Sequence, residues 1–276
     1  MSATRLSGRA ALAMEIPKNA FKAAIEARRM QIGLWSGLSD VVSAEICAGA
    51  GFDWMMFDGE HSPNTLREVL AQLQAIAPYP TQAIVRPPIG DAAYIKQFLD
   101  IGVQTLLVPM VETVEQATML ARAMRYPTPA DAAQGWPTGF RGIGGATARA
   151  TRWGRVENYL HEANREVCLV VQVETRLGLE NLEAIAAVDG VDAIFIGPSD
   201  LTASFGLLGK APSAEAQPLI EGAIKRAHAA GKPVGSLAVD ERLAKRYFEI
   251  GCTFVAVGVD TLLLRTAAEN LRKQFP

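Results

Sequence analysis

Residues 48–64 read AGAGFDWMMFDGEHSPN, and the order of the signals in this stretch decides the fold. A glycine just past a helix end takes the left-handed cap, so AGAG marks the close of one helix. The run at 53–57 follows with almost no polar interruption, as expected of a parallel strand buried on both faces. Directly after it stand Asp58, Glu60 and His61, and a new helical pattern begins at 64–76. The same punctuation returns in LDIGVQT (99–105) and FEIGCTF (248–254), which makes three copies of one helix-to-strand turn.

Working outward, strand-like runs fall at 32–35, 53–57, 83–85, 105–108, 169–173, 193–196, 234–237 and 254–257. Amphipathic stretches at 64–76, 92–100, 114–124, 179–188, 214–230 and 241–250 separate them, and a final helix is expected at 261–274. This alternation predicts an α/β fold, a single (β/α)8 TIM barrel. An open doubly wound sheet would carry a nucleotide fingerprint after its first strand, and none is present. The barrel domain is expected over residues 21–276, with residues 1–20 as a flexible extension.

Composition agrees. The 276 residues are 49% hydrophobic and 20% charged, enough for a large core. A net charge of −2 supplies no basic face for nucleic acid. No apolar run reaches the roughly 20 residues that span a membrane. Cys47, Cys168 and Cys252 are odd in number and lie in apolar stretches, which fits reduced thiols and a cytoplasmic location. The stretch 126–155 breaks the rhythm with Pro, Gly, Trp and four arginines (Arg141, Arg149, Arg152, Arg155). Counted as the connection after strand four, it is expected over the mouth of the barrel.

Active sites of these barrels lie at the C-terminal ends of the strands. Strand two ends in Asp58, Glu60 and His61, strand three in Arg86, strand five in Gln172 and Glu174, and strand six in Ser199 and Asp200. Glu174 and Asp200 are 26 residues apart, one repeat, so they end neighbouring strands. Adjacent strands lie about 4.8 Å apart, close enough for both carboxylates to hold one hard cation such as magnesium or manganese. Taken singly, either acid could form a salt bridge, and Asp200 could cap the next helix. His61, among acids at a barrel mouth, has the placement of a general base, whereas His161 and His228 fall in polar helical stretches. Arg86 follows a buried strand and needs an acid or an anionic substrate as partner. No strand contains a lysine, so Schiff-base chemistry has no nucleophile there. GIGGAT (142–147) lacks the lysine of a phosphate loop and reads as a turn.

The motifs IGLWSGL, FDGEHSPN, QTLLVPM, RGIGGATARATRW, QVETR, FIGPSDL and FVAVGVD, in that order from about residue 21 to the C-terminus, resemble the HpcH/HpaI class II aldolases of the phosphoenolpyruvate/pyruvate barrel superfamily. The resemblance implies retro-aldol cleavage of 4-hydroxy-2-oxoheptane-1,7-dioate to pyruvate and succinic semialdehyde, a step of homoprotocatechuate catabolism. It implies a divalent metal (Mg²⁺ or Mn²⁺, with Co²⁺ a further choice) on Glu174 and Asp200. Gln172 and the backbone of Gly197, Pro198 and Ser199 would hold the pyruvate unit. His61 would be the base, acting through a metal-bound water, with Arg86 steadying the enolate oxygen. Asp100 would pair with His61, and because Asp100 ends a helix, that histidine is expected in a neighbouring subunit, with Asp58 helping locally. A homo-oligomer, a hexamer built as a trimer of dimers, is also implied.

The sequence departs from the family pattern in a longer 128–139 stretch, in Ser236 and in Ser199, which bear on aldehyde preference. The same chemistry on 2-keto-3-deoxy sugar acids or 5-keto-4-deoxyglucarate, an acyl-CoA lyase, and a non-catalytic barrel are the competing expectations.

Overall fold

Eight strands, β1 (Gln31–Ser36), β2 (Trp54–Asp58), β3 (Gln82–Arg86), β4 (Thr105–Val108), β5 (Cys168–Val173), β6 (Ala193–Ile196), β7 (Val234–Leu237) and β8 (Phe254–Val259), pair in sequence order and close on themselves. The structure is a computed structural model that describes residues 14–129 and 138–276. Every pairing is parallel, from β1 with β2 round to β8 with β1. The three repeated turns carry glycines in the left-handed region, Gly51 at φ 90°, Gly102 at 100° and Gly251 at 120°. That conformation strains any residue with a Cβ, so these glycines set the reversals.

Two cores result. An outer one lies between strands and helices, with Leu34, Phe57, Val85, Leu106 and Val171 among its members. An inner one fills the barrel: Phe21, Trp54, Met56, Phe195 and Phe254 stack with Val170 and Ala256. Phe21 enters from the helix Ala20–Glu26 and meets Phe254 edge-on at 5.3 Å between ring centroids and Trp54 at 6.1 Å. Glycines make room for these rings. A Cβ on Gly33 would stand 2.0 Å from Trp54, and one on Gly235 would stand 2.1 Å from Phe254.

Several expectations need correction. The 126–155 stretch does not cover the mouth where it is described. It follows the helix Val114–Met124, and a chain leaving a helix of this barrel is at the N-terminal ends of the strands. Accordingly Arg141 pairs with Asp100 at 3.0 Å and Arg149 donates to the Ile101 carbonyl at 2.6 Å, both at the C-terminal end of the helix Ala92–Asp100. Residues 130–137 of the long 128–139 stretch lie outside the described residues. Residues 14–20 are packed rather than loose: Met14 bridges Val156, Ile16 is buried, and Asn19 caps its helix while bonding Glu166. The helix expected at 179–188 is two short ones, Arg176–Glu180 and Leu182–Ala186. Of the helices Val41–Ala48 and Pro198–Ser204, only the end of the first was signalled, by AGAG, and neither was given a range. The first of these exposes Val41, Val42 and Ile46, so no amphipathic period marks it. Among the described residues no helix is long and apolar enough to cross a membrane.

The inner core yields the first prediction. Gly235→Ala forces a methyl into the Phe254 ring, and overpacking of this kind costs about 1–3 kcal/mol or more. A lowered urea midpoint at unchanged slope is the expected result. An unchanged midpoint would mean that the ring is free to move.

Candidate active site

The register of the barrel places Asp58 directly opposite Arg86. Arg86 donates twice to the Asp58 carboxylate, Nε at 2.8 Å and Nη2 at 2.7 Å, with both side chains nearly buried. Such a fork-to-carboxylate pair is strong and geometrically specific. Trp35 Nε1 donates to the same carboxylate at 3.1 Å, and the Arg86 guanidinium lies 4.6 Å from the centre of the Trp35 ring. Burial pushes the Asp58 carboxyl up, but the hydrogen bonds and charge of Arg86 outweigh it and the net direction is down. Arg86 Nη1 also stands 3.0 Å from Glu60 Oε2, a charge contact without hydrogen-bond alignment. Burial dominates at Glu60, whose carboxyl lies above its usual range despite Arg86.

Across the mouth, β5 and β6 are in register at Val173 and Ile196, so Glu174 and Gly197 leave adjacent strand ends together. Glu174 is 2% exposed. Its carboxylate accepts from the Met110 backbone N–H at 2.9 Å and from Gln172 Nε2, and among the described residues it meets no cation. Burial lifts it from 4.5 to about 7, with the Asp200 and Glu60 charges adding to the rise. Gly197 is required by close approach, because a Cβ there would stand 2.5 Å from Glu174 Oε2. Gln172 Oε1 is buried without a partner. Asp200 lies in the first turn of Pro198–Ser204, where Gly197 rather than Asp200 is the cap residue.

These groups suit a hard divalent cation. Glu174 is a carboxylate charge without a counter-ion, Asp200 acts on it electrostatically, and an orphaned amide oxygen lies beside it. Two carboxylates leave the remaining positions to water or substrate oxygens, the habit of Mg²⁺ and Mn²⁺.

His61 stands at the rim with its side chain 65% exposed. Its imidazole does not rest on Asp58, which meets only the His61 backbone N–H at 3.4 Å; the nearest carboxylate to the ring is Glu60, at 3.9 Å. Local help from Asp58 therefore acts on the loop and on Arg86, not on the ring. Asp100 lies elsewhere, in a separate cavity with Gln97, Gly144, Ala148 and Arg149. There it pairs with the fully buried Arg141, which explains how an acid survives at a helix C-terminus against the dipole.

His61, Arg86, Asp58, Gln172, Glu174, Gly197, Pro198, Ser199 and Asp200 line one cavity of about 470 Å³. Trp35, Phe195, Leu237 and Val259 form its apolar wall. Residues 31–267 match the HpcH/HpaI aldolase/citrate lyase family. The chain is 58% identical, over 93% of its length and 90% of the relative's, to a hydroxypyruvate/pyruvate aldolase of Deinococcus radiodurans. It is 54% identical to a 4-hydroxy-2-oxo-heptane-1,7-dioate aldolase of Salmonella heidelberg, over 94% of its length and 95% of the relative's. The crystal structure of a family protein from Burkholderia cenocepacia superposes with a TM-score of 0.86 at 36% identity, covering 93% of this chain and 99% of that one.

The chain belongs to the HpcH/HpaI aldolase/citrate lyase family. It is an aldolase, a carbon–carbon lyase, in a family whose class II aldolases generally depend on a divalent metal.

Within this HpcH/HpaI barrel, three contributors escaped the sequence reading. Met110 adopts φ 56°, a left-handed conformation that costs a non-glycine residue about 1–2 kcal/mol, and so aims its N–H at Glu174. Arg141 carries Asp100. Asp260, at the end of β8, is buried against the β1 loop. Of the departures, Ser236 points away from chemistry, its hydroxyl donating to the Ile196 carbonyl at 3.0 Å, whereas Ser199 lines the cavity.

The position of Glu174 near 7 gives a signed prediction. Its folded carboxyl binds a proton more tightly than the unfolded one, so its contribution to stability is full below about 4.5 and is lost as pH rises through about 7. In metal-free protein the urea midpoint should fall across that window, and the fall should be shallower in Glu174→Gln. Parallel pH profiles for the two proteins would contradict the assignment.

Proposed function

We propose that this aldolase cleaves 4-hydroxy-2-oxoheptane-1,7-dioate to pyruvate and succinic semialdehyde, using a divalent cation on Glu174 and Asp200. The observation that carries the reading is the uncompensated, buried Glu174 carboxylate facing the same cavity as Asp200, Arg86 and His61. The 54%-identical relative of that name supports the substrate. Magnesium and manganese fit the oxygen donors best, with cobalt a further choice. When bound, the cation would polarise the 2-oxo group as a Lewis acid.

The residues divide the work by position. Gln172 and the Gly197–Pro198–Ser199 backbone hold the carboxylate end of the 2-oxo acid. His61, at the open rim, takes the proton of the C4 hydroxyl. The O–H electron pair then forms the aldehyde C=O, the C3–C4 bond breaks, and its electrons pass into the 2-oxo unit. Arg86, fixed by Asp58, faces the oxygen on which that negative charge grows, so its field needs no reorganisation during the reaction. Return of that proton from His61 to C3 completes pyruvate and regenerates the neutral base. Asp100 orients the His61 of a neighbouring copy, presented there by Arg141.

A homo-oligomer is supported by the last helix, Asp260–Arg272, on which Leu262, Leu263, Leu264 and Leu271 are exposed, with Phe275 just beyond. A row of leucines in water is the mark of an interface, and a second copy of this chain, ultimately a hexamer of paired barrels, is the occupant we assign. The three unbonded cysteines suit the reducing cytoplasm.

A second reading concerns the nucleophile. The Deinococcus radiodurans relative and one from Pseudomonas aeruginosa at 54% identity are named hydroxypyruvate/pyruvate aldolases, and Ser199 offers a hydroxyl beside the pyruvate seat. Hydroxypyruvate is then an alternative donor for aldol addition.

The deciding experiment measures pyruvate release from the dioate with and without a chelator. Activity should vanish on metal removal and return with Mn²⁺ or Mg²⁺. Glu174→Ala should lower kcat/KM roughly a thousandfold, matching the several kcal/mol a Lewis-acid cation supplies. Turnover that persists in fully chelated enzyme sinks the metal assignment, while equal or better turnover of 2-keto-3-deoxy sugar acids moves the substrate. For the assembly, Leu263→Glu with Leu264→Glu should shift the sedimenting species to lower mass, and an unaltered mass would leave the helix without its assigned role.

A further inference from the structure

We infer that Asp260 is a positioning residue for the base. It holds the β1 loop against the loop that carries His61, and this inference rests on the role proposed for that histidine. Asp260 is 3% exposed, and every partner it has among the described residues is an N–H or O–H donor. Ser36 Oγ donates to it at 3.0 Å, Gly37 N at 2.9 Å, Leu38 N at 3.2 Å and Thr261 N at 2.6 Å. A buried carboxylate without a cation is costly unless hydrogen bonds replace its hydration. Four donors do so here, three of them from the consecutive residues 36–38 at the end of β1. A hydrophobic residue or an amide at position 260 could not hold those donors in the same way, since an amide offers a single oxygen and adds N–H groups of its own.

What the carboxylate gathers is catalytically placed. Gly37 lines the active-site cavity together with Ser62 and His61. The contact is close: a Cβ on Gly37 would stand 2.7 Å from Ser62 Oγ. Ser62 directly follows His61, and His61 itself has few fixed contacts, its ring being largely exposed. The position of the rim histidine therefore depends on the chain that carries it, and the Ser62 side chain of that loop packs close against Gly37. Asp260 also opens the last helix, Asp260–Arg272, so one carboxylate ties the start of the helix assigned to the partner copy to the base of this one.

Two substitutions press on this chain of contacts from opposite ends. Asp260→Asn loosens the hold on residues 36–38, and Gly37→Ala drives a methyl toward Ser62. The protein has three histidines, so ¹³C-histidine labelling yields few resonances, and the one lost in His61→Gln is assigned to His61. In both variants the His61 resonance should move while those of His161 and His228 stay in place. In the same proteins kcat should fall about tenfold or more with KM changed less than about threefold, the scale of loss expected for a misplaced catalytic group. A His61 resonance that stays put in both variants overturns the inference. So does movement of all three histidines with a collapse of thermal stability, which marks a general structural role, and so does a shifted His61 with wild-type kcat. If Asp260→Asn fails to fold, Gly37→Ala decides by the same readings. A wild-type enzyme that releases no pyruvate would remove the proposed function, while the resonances would still judge whether Asp260 governs the position of His61.

Discussion

An eight-stranded barrel has an interior only just wide enough for side chains to fill, and how that interior is filled decides where chemistry can occur. Here the large rings of Phe21, Trp54 and Phe254 occupy the lower part, with Phe195 packed on Phe254 and facing the cavity above, and the absence of side chains at Gly33 and Gly235 admits two of them. With the lower interior closed, the cavity opens at the C-terminal ends of the strands. Polar residues there are held by apolar packing from below. Trp35 links the two regimes, since its ring belongs to the inner core while its Nε1 donates to Asp58.

At the mouth the governing quantity is charge. Asp58, Glu60, Glu174 and Asp200 line or border it, against Arg86 as the cation that the cavity's described lining provides. Asp58 claims the Nε–Nη2 edge of the guanidinium with both its oxygens and sits below its usual range, whereas Glu60 and Glu174 are pushed above theirs by burial. The site thus sorts its acids by environment: one ionised and structural, one half-buried beside the arginine, one waiting for positive charge. A bound cation would change the sign of that local field, which is why ligand binding and protonation at Glu174 are linked.

The architecture was legible because burial on both faces writes itself into composition. The runs at 105–108, 193–196 and 234–237 became strands with the expected limits, and the three glycine turns took the left-handed conformation their position required. The polar strand ends, Asp58, Arg86, Gln172, Glu174 and Asp200, converge on one cavity because alternation of strand and helix sets which end of each strand faces the mouth. The reading failed where position was inferred by counting from the wrong element. The described parts of this stretch, 126–129 and 138–155, follow a helix, not a strand, and so lie at the opposite end from the mouth. It also failed where a residue acts through its backbone: nothing in the string VPM reveals that Met110 is left-handed, or that its N–H points at Glu174.

The groups that sequence reasoning missed share one physical property. Met110, Arg141 and Asp260 each fix another group while contributing no reactive atom of their own: a strained N–H on a carboxylate, a buried guanidinium on Asp100, a buried carboxylate on three consecutive residues. Such contacts are long in sequence and invisible to local pattern, and they are of the kind that holds polar groups in place before a substrate arrives. His61 is the extreme case, since its exposed ring has almost nothing of its own chain to rest on. Its placement must come from the backbone beneath it and from whatever covers the rim. In the assembly proposed above, a second copy seated on the leucine-lined last helix would complete this open rim, and the helix and the mouth would be two parts of one design problem.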